Sequence, residues 1–109
     1  MMPAQYWKQL RLGRQAKGRL KFRLERIAEF ERLAKESEAE IAHLHKLQPP
    51  LDQLTPRGRR ARRKKIQSAN GRLKFRLDKR AYFVRLASES AAEVASHEPQ
   101  IVRLGHSPH

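Results

Sequence analysis

One heptapeptide, GRLKFRL, occurs twice in this chain, at 18–24 and again at 71–77, an offset of 53 residues. The offset persists downstream, because Phe30 and Phe83, Ala34 and Ala87, and Ser37 and Ser90 are identical pairs. A unit that occurs twice in one chain can bury the same face against its own copy. The repeat therefore predicts a pseudo-twofold structure in which the two copies pack on each other.

The spacing of apolar residues predicts that each copy is a long helix. In both copies they recur mostly every three or four residues, which is helical periodicity. Arg80 stands where the first copy has Ile27, so we expect a seam less regular than a strict coiled coil. The positions are Leu20, Leu24, Ile27, Phe30, Ala34, Ile41 and Leu44, and then Leu73, Leu77, Ala81, Val84, Ala87, Ala91 and Val94.

Prolines set the predicted boundaries within a single domain, 1–109. Repeat one covers about 3–47, a Pro-rich connection 48–55, repeat two about 56–98, and an irregular tail 99–109. Thr55 followed by Pro56 is typical of an N-cap and first helical position, and Pro99 is expected to end the second helix. The predicted fold is all-α, an antiparallel hairpin of two long homologous helices.

Two expectations follow from this fold prediction. Only 39% of the residues are hydrophobic, which is little for a core of its own, so the hairpin is expected to self-associate into a helical bundle. The midpoints of the two predicted helices lie near Glu25 and Arg76, so the two GRLKFRL blocks should meet.

A second interpretation of the repeated block stays open at this point. RLKFRL alternates strictly between basic and apolar residues, as a half-buried strand does. A basic strand followed by helices resembles the ribbon-helix-helix family, and two copies would resemble a tandem version of it. That resemblance implies a DNA-binding regulator.

The charge indicates a polyanionic partner. The chain has 25 Lys and Arg against 11 Asp and Glu, a formal net charge of +14. A nucleic acid is the natural partner, because each neutralised phosphate releases condensed counterions. No apolar run approaches the roughly 20 residues that cross a bilayer, so membrane insertion is not expected. We expect an intracellular protein, cytoplasmic or nuclear, with RGRRARRKK as a possible nuclear localisation signal.

The candidate nucleic-acid contacts are cations of the two blocks and of the arginine-rich run. Between Arg57 and Leu77 no acidic residue occurs. On a helix, residues spaced by three, four or seven share one face and could follow a phosphate backbone. The candidates are Arg19, Lys21, Arg23, Arg26, Arg57, Arg59, Arg60, Arg62, Arg63, Lys64, Lys65, Arg72, Lys74, Arg76 and Lys79.

Catalytic chemistry has no motif in this sequence. The chain has no cysteine, and His43 and His45 are two residues apart, which does not place both on one helical face. We expect no enzymatic activity, catalytic residue, metal site, cofactor or small-molecule substrate.

The resulting expectation is a nucleic-acid-binding protein whose favoured ligand is double-stranded or structured RNA, bound through phosphates with little sequence dependence. It could sequester duplex RNA, as small viral silencing suppressors do, or belong to a ribonucleoprotein. Besides the ribbon-helix-helix regulator, the alternative is a coiled-coil scaffold for an acidic protein.

Overall fold

Two helices make up nearly all of the chain. The computed structural model describes the backbone of residues 3–105 and the side chains of residues 3–99. Helix α1 runs from Ala4 to His45, a single 3₁₀ turn covers Leu51–Gln53, and α2 runs from Pro56 to Gly105. The two helices pack against each other, and the described residues contain no strand. The predicted all-α helical hairpin is confirmed.

The strand interpretation of RLKFRL is wrong. Both copies of the block lie inside the long helices, far from their ends. Alternation over six residues is a weak signal when the surrounding residues repeat every three or four, and helical hydrogen bonds are formed locally without a partner strand. With no strand among the described residues, the ribbon that defines the ribbon-helix-helix family is missing.

The start of α2 follows the predicted capping pattern. The Gly58 backbone N–H donates to Thr55 Oγ1 at 3.1 Å, and Pro56 occupies the first helical position. This is the N-cap geometry in which a hydroxyl satisfies one of the free amides of the first turn.

The predicted end of the second helix at Pro99 is wrong, because α2 continues through Pro99 to Gly105. Proline fixes φ near a helical value, but it lacks the N–H that would bond to the carbonyl four residues earlier, and its ring crowds that carbonyl. Pro99 is exposed, so its ring meets no packed neighbour and water can solvate that carbonyl. The predicted irregular tail is thus helical as far as Gly105, and 106–109 lie outside the described residues.

A heptad seam marks the protected side of each helix. In α1 the seam positions alternate steps of four and three residues, and all of them are buried or half-buried. This period of 3.5 is that of a coiled coil. In α2 the corresponding series is interrupted at Arg80, which is exposed, where the sequence predicted an irregular seam. The α1 positions are Gln9, Gly13, Ala16, Leu20, Arg23, Ile27, Phe30, Ala34, Ser37, Ile41 and Leu44.

Small residues fill the most buried seam positions. Ala16, Ala34 and Ser37 are at most 5% exposed, and their partners at the offset of 53, Ala69, Ala87 and Ser90, are at most 7% exposed. Small side chains at the contact let two helices approach closely. Alanine and serine therefore make the tightest contacts. Of the larger seam residues of α1, Leu44 is buried at 9% exposed and the others are half-buried.

Val84, assigned to the seam from the sequence, is 43% exposed. Two leucines assigned to the seam are on the surface as well. Leu24 is 52% exposed and Leu77 is 39% exposed. Each follows an arginine, Arg23 or Arg76, that occupies the heptad position beside it and is half-buried. Since adjacent residues on a helix point about 100° apart, an inward arginine turns the next leucine onto the flank.

The contacts divide the chain into two compact units. The first combines residues up to Ile27 with those from Tyr82 onward, and the second is Ala28–Ala81. Each unit therefore contains the GRLKFRL block of one helix and a Glu-Ser pair of the other, Glu89–Ser90 in the first unit and Glu36–Ser37 in the second. Within each unit the two helical segments run antiparallel.

We expect Gly71→Ala to raise the free energy of unfolding by about 0.5–1 kcal/mol, and Gly18→Ala to do the same. Both glycines lie in exposed helix, and a Cβ built on either one meets no atom within 4 Å. Alanine then gains helix propensity without a clash. Urea denaturation followed by circular dichroism measures the change.

Gly58→Ala is the control for this test. A Cβ at Gly58 would lie 3.3 Å from Thr55 Oγ1, the capping hydroxyl, so crowding offsets the gain in propensity. A loss of stability in Gly71→Ala would contradict the open environment described for that position.

Candidate nucleic-acid interface

In the first unit, Arg23 of the first block points into the seam. Its Nη1 donates to the Leu86 carbonyl oxygen at 2.7 Å and to Ser90 Oγ at 2.5 Å. Ser90 is completely buried. The small side chain of Ser90 leaves room for the guanidinium, and its uncharged hydroxyl oxygen accepts a hydrogen bond from it.

The second unit contains the same arrangement at the positions 53 residues away. Arg76 Nη1 donates to the Leu33 carbonyl oxygen at 2.8 Å and to Ser37 Oγ at 2.6 Å, and Ser37 is also completely buried. We call each of these two contacts an arginine–serine clasp. No buried side-chain polar atom among the described residues lacks a hydrogen-bond partner.

Ion pairs flank both clasps. In the first unit Arg19 donates to Glu93 at 2.5 Å, and in the second Arg72 pairs with Glu40. The hydrogen bond from Arg19 lowers the pKa of Glu93 below its ordinary value of 4.5, with further electrostatic help from Arg19 and Arg23. These pairs are exposed, so each contributes little to stability on its own.

The two GRLKFRL blocks do not face each other as expected. The first block contacts Leu86, Ser90 and Glu93, and the second contacts Leu33, Ser37 and Glu40. The expected register assumed that α2 pairs with α1 from its first residue. Instead, Arg62 Nη1 bonds to the Leu47 carbonyl oxygen at 3.1 Å, so the first turns of α2 lie beside the connection, past the end of α1.

Several predicted phosphate ligands are engaged inside the protein. Arg19, Arg23, Arg72 and Arg76 hold the two helices together, as described above. Arg59 donates to the Leu54 carbonyl, and Arg62 to those of Leu47 and Pro49. Arg26 and Lys79 lie over phenylalanine rings, at 5.1 Å from the centroid of Phe22 and 5.7 Å from that of Phe75.

The other seven predicted ligands are exposed and form no hydrogen bond or ion pair with the described protein. They are Lys21, Arg57, Arg60, Arg63, Lys64, Lys65 and Lys74. Four of these, Arg57, Arg60, Arg63 and Lys64, fall within one arc of α2 because their spacing is that of a helical face. We call these four residues the basic face.

The basic face borders an open depression at the start of α2. The depression has a volume of about 510 Å³, and its walls are Pro56, Arg59, Arg60, Arg63, Lys64 and Gln67. The first turn of α2 contains no acidic residue. The positive end of the helix dipole repels cations near a helix N-terminus. An anion bound here would be attracted by both and would reduce the repulsion between them.

The described residues offer no sign of a metal centre or a membrane span. No group of three or more His, Cys, Asp or Glu side chains is placed to hold a metal ion within that part of the chain. Nor is either described helix apolar enough over a sufficient length to cross a membrane.

Sequence reasoning missed an aromatic cluster in the first unit. The ring centroids of Phe22 and Phe83 are 6.5 Å apart, and those of Tyr82 and Phe83 are 5.2 Å apart, both edge-to-face. The sequence contained one signal for it. When the two copies are aligned, Tyr82 matches Glu29, so the second copy has an aromatic residue next to Phe83 that the first copy lacks next to Phe30.

Comparison with known proteins gives no match: no family model fits the chain, and no similar curated protein or solved structure was found.

We expect Arg23→Ala to lower the free energy of unfolding by about 1.5–3 kcal/mol, the range for hydrogen bonds to charged groups. It removes both hydrogen bonds of one clasp and leaves the Ser90 hydroxyl buried without its partner. Thermal and urea denaturation followed by circular dichroism measure the loss.

Lys21→Ala removes one charge from the same block at an exposed position without contacts, so we expect a change within about 0.5 kcal/mol. Equal effects of the two substitutions would show that Arg23 does not hold the helices together.

Proposed function

We propose that this protein binds nucleic acid through phosphates, with double-stranded or structured RNA as the favoured ligand and little dependence on base sequence. The observation that supports this most directly is the basic face. Its four cations have no partner in the described protein, whereas the arginines of the second block, and Arg59 and Arg62 in the first turns of α2, do.

The chemistry of the basic face fits a phosphate chain. Guanidinium groups donate two parallel hydrogen bonds to phosphate oxygens. Arg57, Arg60 and Lys64 occupy successive turns on one side of α2, so they present charge along a line. Counterions released from the nucleic acid supply the driving force, and phosphate contacts carry no base information.

Structured RNA is favoured over DNA on the ground of composition and fold. The described part of the hairpin includes no helix-turn-helix. Arginine-rich segments and shape recognition through phosphates are typical of proteins that bind structured RNA. Such a protein could sequester duplex RNA or serve in a ribonucleoprotein, in the cytoplasm or nucleus.

We also propose that the two helices are copies of one duplicated unit. The offset of 53 residues that relates the two blocks in the sequence also relates the two clasps and the Arg19–Glu93 and Arg72–Glu40 pairs. Matching contacts in both units support a common origin more strongly than sequence identity alone.

The test of RNA binding compares two variants with the same loss of charge. Arg60→Ala/Lys64→Ala removes half of the basic face, whereas Lys35→Ala/Lys46→Ala removes two exposed lysines without partners elsewhere. We measure the affinity for a duplex RNA over a range of salt concentrations. If six or more phosphates are contacted, the unmodified protein should give a log–log slope of about −5 or steeper.

We expect the basic-face variant to lose about two units of that slope, about one per phosphate contact, and the lysine control to change much less. A slope shallower than about −2 for the unmodified protein, or equal effects of the two variants, would contradict phosphate binding by this face. Binding to an acidic protein at physiological salt without binding to RNA would favour the scaffold alternative.

Finally, we propose that a second copy of the chain covers the exposed aliphatic residues. Leu24, Leu77 and Val84 are 52%, 39% and 43% exposed, and large apolar side chains at the surface are typical of interaction sites. We expect Leu24→Gln to shift the protein toward monomer in sedimentation-velocity experiments, whereas Lys21→Gln should not. An unmodified protein that sediments as a monomer at micromolar concentration would contradict self-association.

A further inference from the structure

The aromatic cluster of the first unit presents two rings to solvent. Phe22 is 49% exposed and Tyr82 is 43% exposed, whereas Phe83, between them, is half-buried at a seam position. Both exposed rings stand edge-to-face against Phe83, with interplanar angles of 78° and 77°. The half-buried ring therefore fixes the orientation of two outward rings.

Arginines lie over both outward rings. The guanidinium carbon of Arg26 is 5.1 Å from the Phe22 centroid, and that of Arg85 is 5.6 Å from the Tyr82 centroid. Lys21, next to Phe22 in the chain, is exposed and has no partner in the described protein. Aromatic surface and positive charge thus occur together in this cluster.

The second unit has the same framework with one decisive difference. Phe75, Phe30, Lys79 and Arg32 stand at the positions of Phe22, Phe83, Arg26 and Arg85, but the position of Tyr82 is taken by Glu29.

The matched arginines also behave differently. Arg32 forms an ion pair with Glu36 at 3.3 Å. Arg85 has a glutamate at the corresponding place, Glu89, yet it lies over Tyr82 and forms no ion pair with Glu89. The first unit therefore has a second exposed ring, Tyr82, and an arginine without an ion pair, Arg85. At the matched positions the second unit has a carboxylate, Glu29, and an arginine that is paired with Glu36.

We infer that the cluster of Phe22, Tyr82 and Arg85 is a stacking site for unpaired bases of RNA. The inference rests on the proposed function and adds to it the feature of the ligand that this site recognises. Every base has a flat face that stacks on an aromatic ring, and the positive charge of Arg85 attracts an adjoining phosphate. Phosphate binding alone would require the cations but neither exposed ring.

The experiment uses three RNA probes with the full-length protein. They are a single-stranded oligouridylate of about 12 nucleotides, within the site sizes known for such proteins, an abasic ribose-phosphate oligomer of the same length, and a duplex RNA. The abasic oligomer has the charge of the oligouridylate without its bases, so it separates stacking from phosphate binding. Affinities are measured by fluorescence anisotropy of labelled probes.

Four variants resolve the contributions of the rings. Phe22→Ala removes one exposed ring, and Tyr82→Glu installs the residue found at the matched position of the second unit. Phe75→Ala is the matched control, because it removes an exposed ring beside a cation where no second exposed ring is present. Tyr82→Phe keeps the ring and removes only the hydroxyl. Circular dichroism confirms that each variant retains its helicity.

We expect Phe22→Ala and Tyr82→Glu to weaken binding of the oligouridylate about 5- to 100-fold, corresponding to the loss of one stacked base. Phe22→Ala should leave the abasic oligomer and the duplex bound as before. Phe75→Ala and Tyr82→Phe should bind the oligouridylate like the unmodified protein.

Three results would overturn the inference: equal affinity of the unmodified protein for the abasic oligomer and the oligouridylate, equal losses in Phe22→Ala and Phe75→Ala, or a change of oligomeric state in Phe22→Ala with RNA binding unaltered. The first of these would leave phosphate binding intact. A failure of the protein to bind any of the three probes would instead overturn the proposed function itself.

Discussion

The arginine–serine clasp is the contact on which the helix pairing depends. A half-buried guanidinium requires space and acceptors, and in each unit a completely buried serine and a backbone carbonyl supply both. A slip by one residue would place each arginine against a different side chain and leave its charge without partners, at a cost of several kcal/mol. Polar residues in a heptad seam often fix register in this way. The clasps thus specify which residues of the two helices meet, while alanines allow the close contact.

The same contacts decide which charges are available to a ligand. The inward arginines turn Phe22, Leu24, Phe75 and Leu77 of the repeated blocks toward solvent. The net charge of +14 is therefore not spread evenly over interchangeable cations. Of the fifteen predicted phosphate ligands, six bond within the protein and two lie over rings, whereas the other seven have no partner among the described residues. The proposed function and the proposed stacking site both follow from this division.

The sequence predicted the helices, the Thr55 cap and the pairing of two similar segments, because periodicity and capping are local signals. It did not predict that Arg23 and Arg76 point inward, since a hydrophobicity pattern assigns arginine to the surface and leucine to the seam. The sequence identified most apolar seam residues of α1, but Gly13, Ala16 and Ser37 carry little apolar signal, so the full heptad series was not recognised. The aromatic cluster was missed because its rings come from both helices. The predicted end of α2 at Pro99 was wrong because a single exposed proline did not stop the helix.

The clasps have neutral acceptors, and this has a consequence for how the protein responds to acid. Glu93 has a depressed pKa, so its ion pair contributes above the pKa of the unfolded chain and is lost as the pH falls through the pKa of the folded protein. A serine hydroxyl and a backbone carbonyl, the acceptors of the clasps, carry no group that titrates in this way. Acidification therefore removes the Arg19–Glu93 ion pair, while the contacts that set the register persist. The register of the two helices therefore does not depend on the ionisation of Glu93.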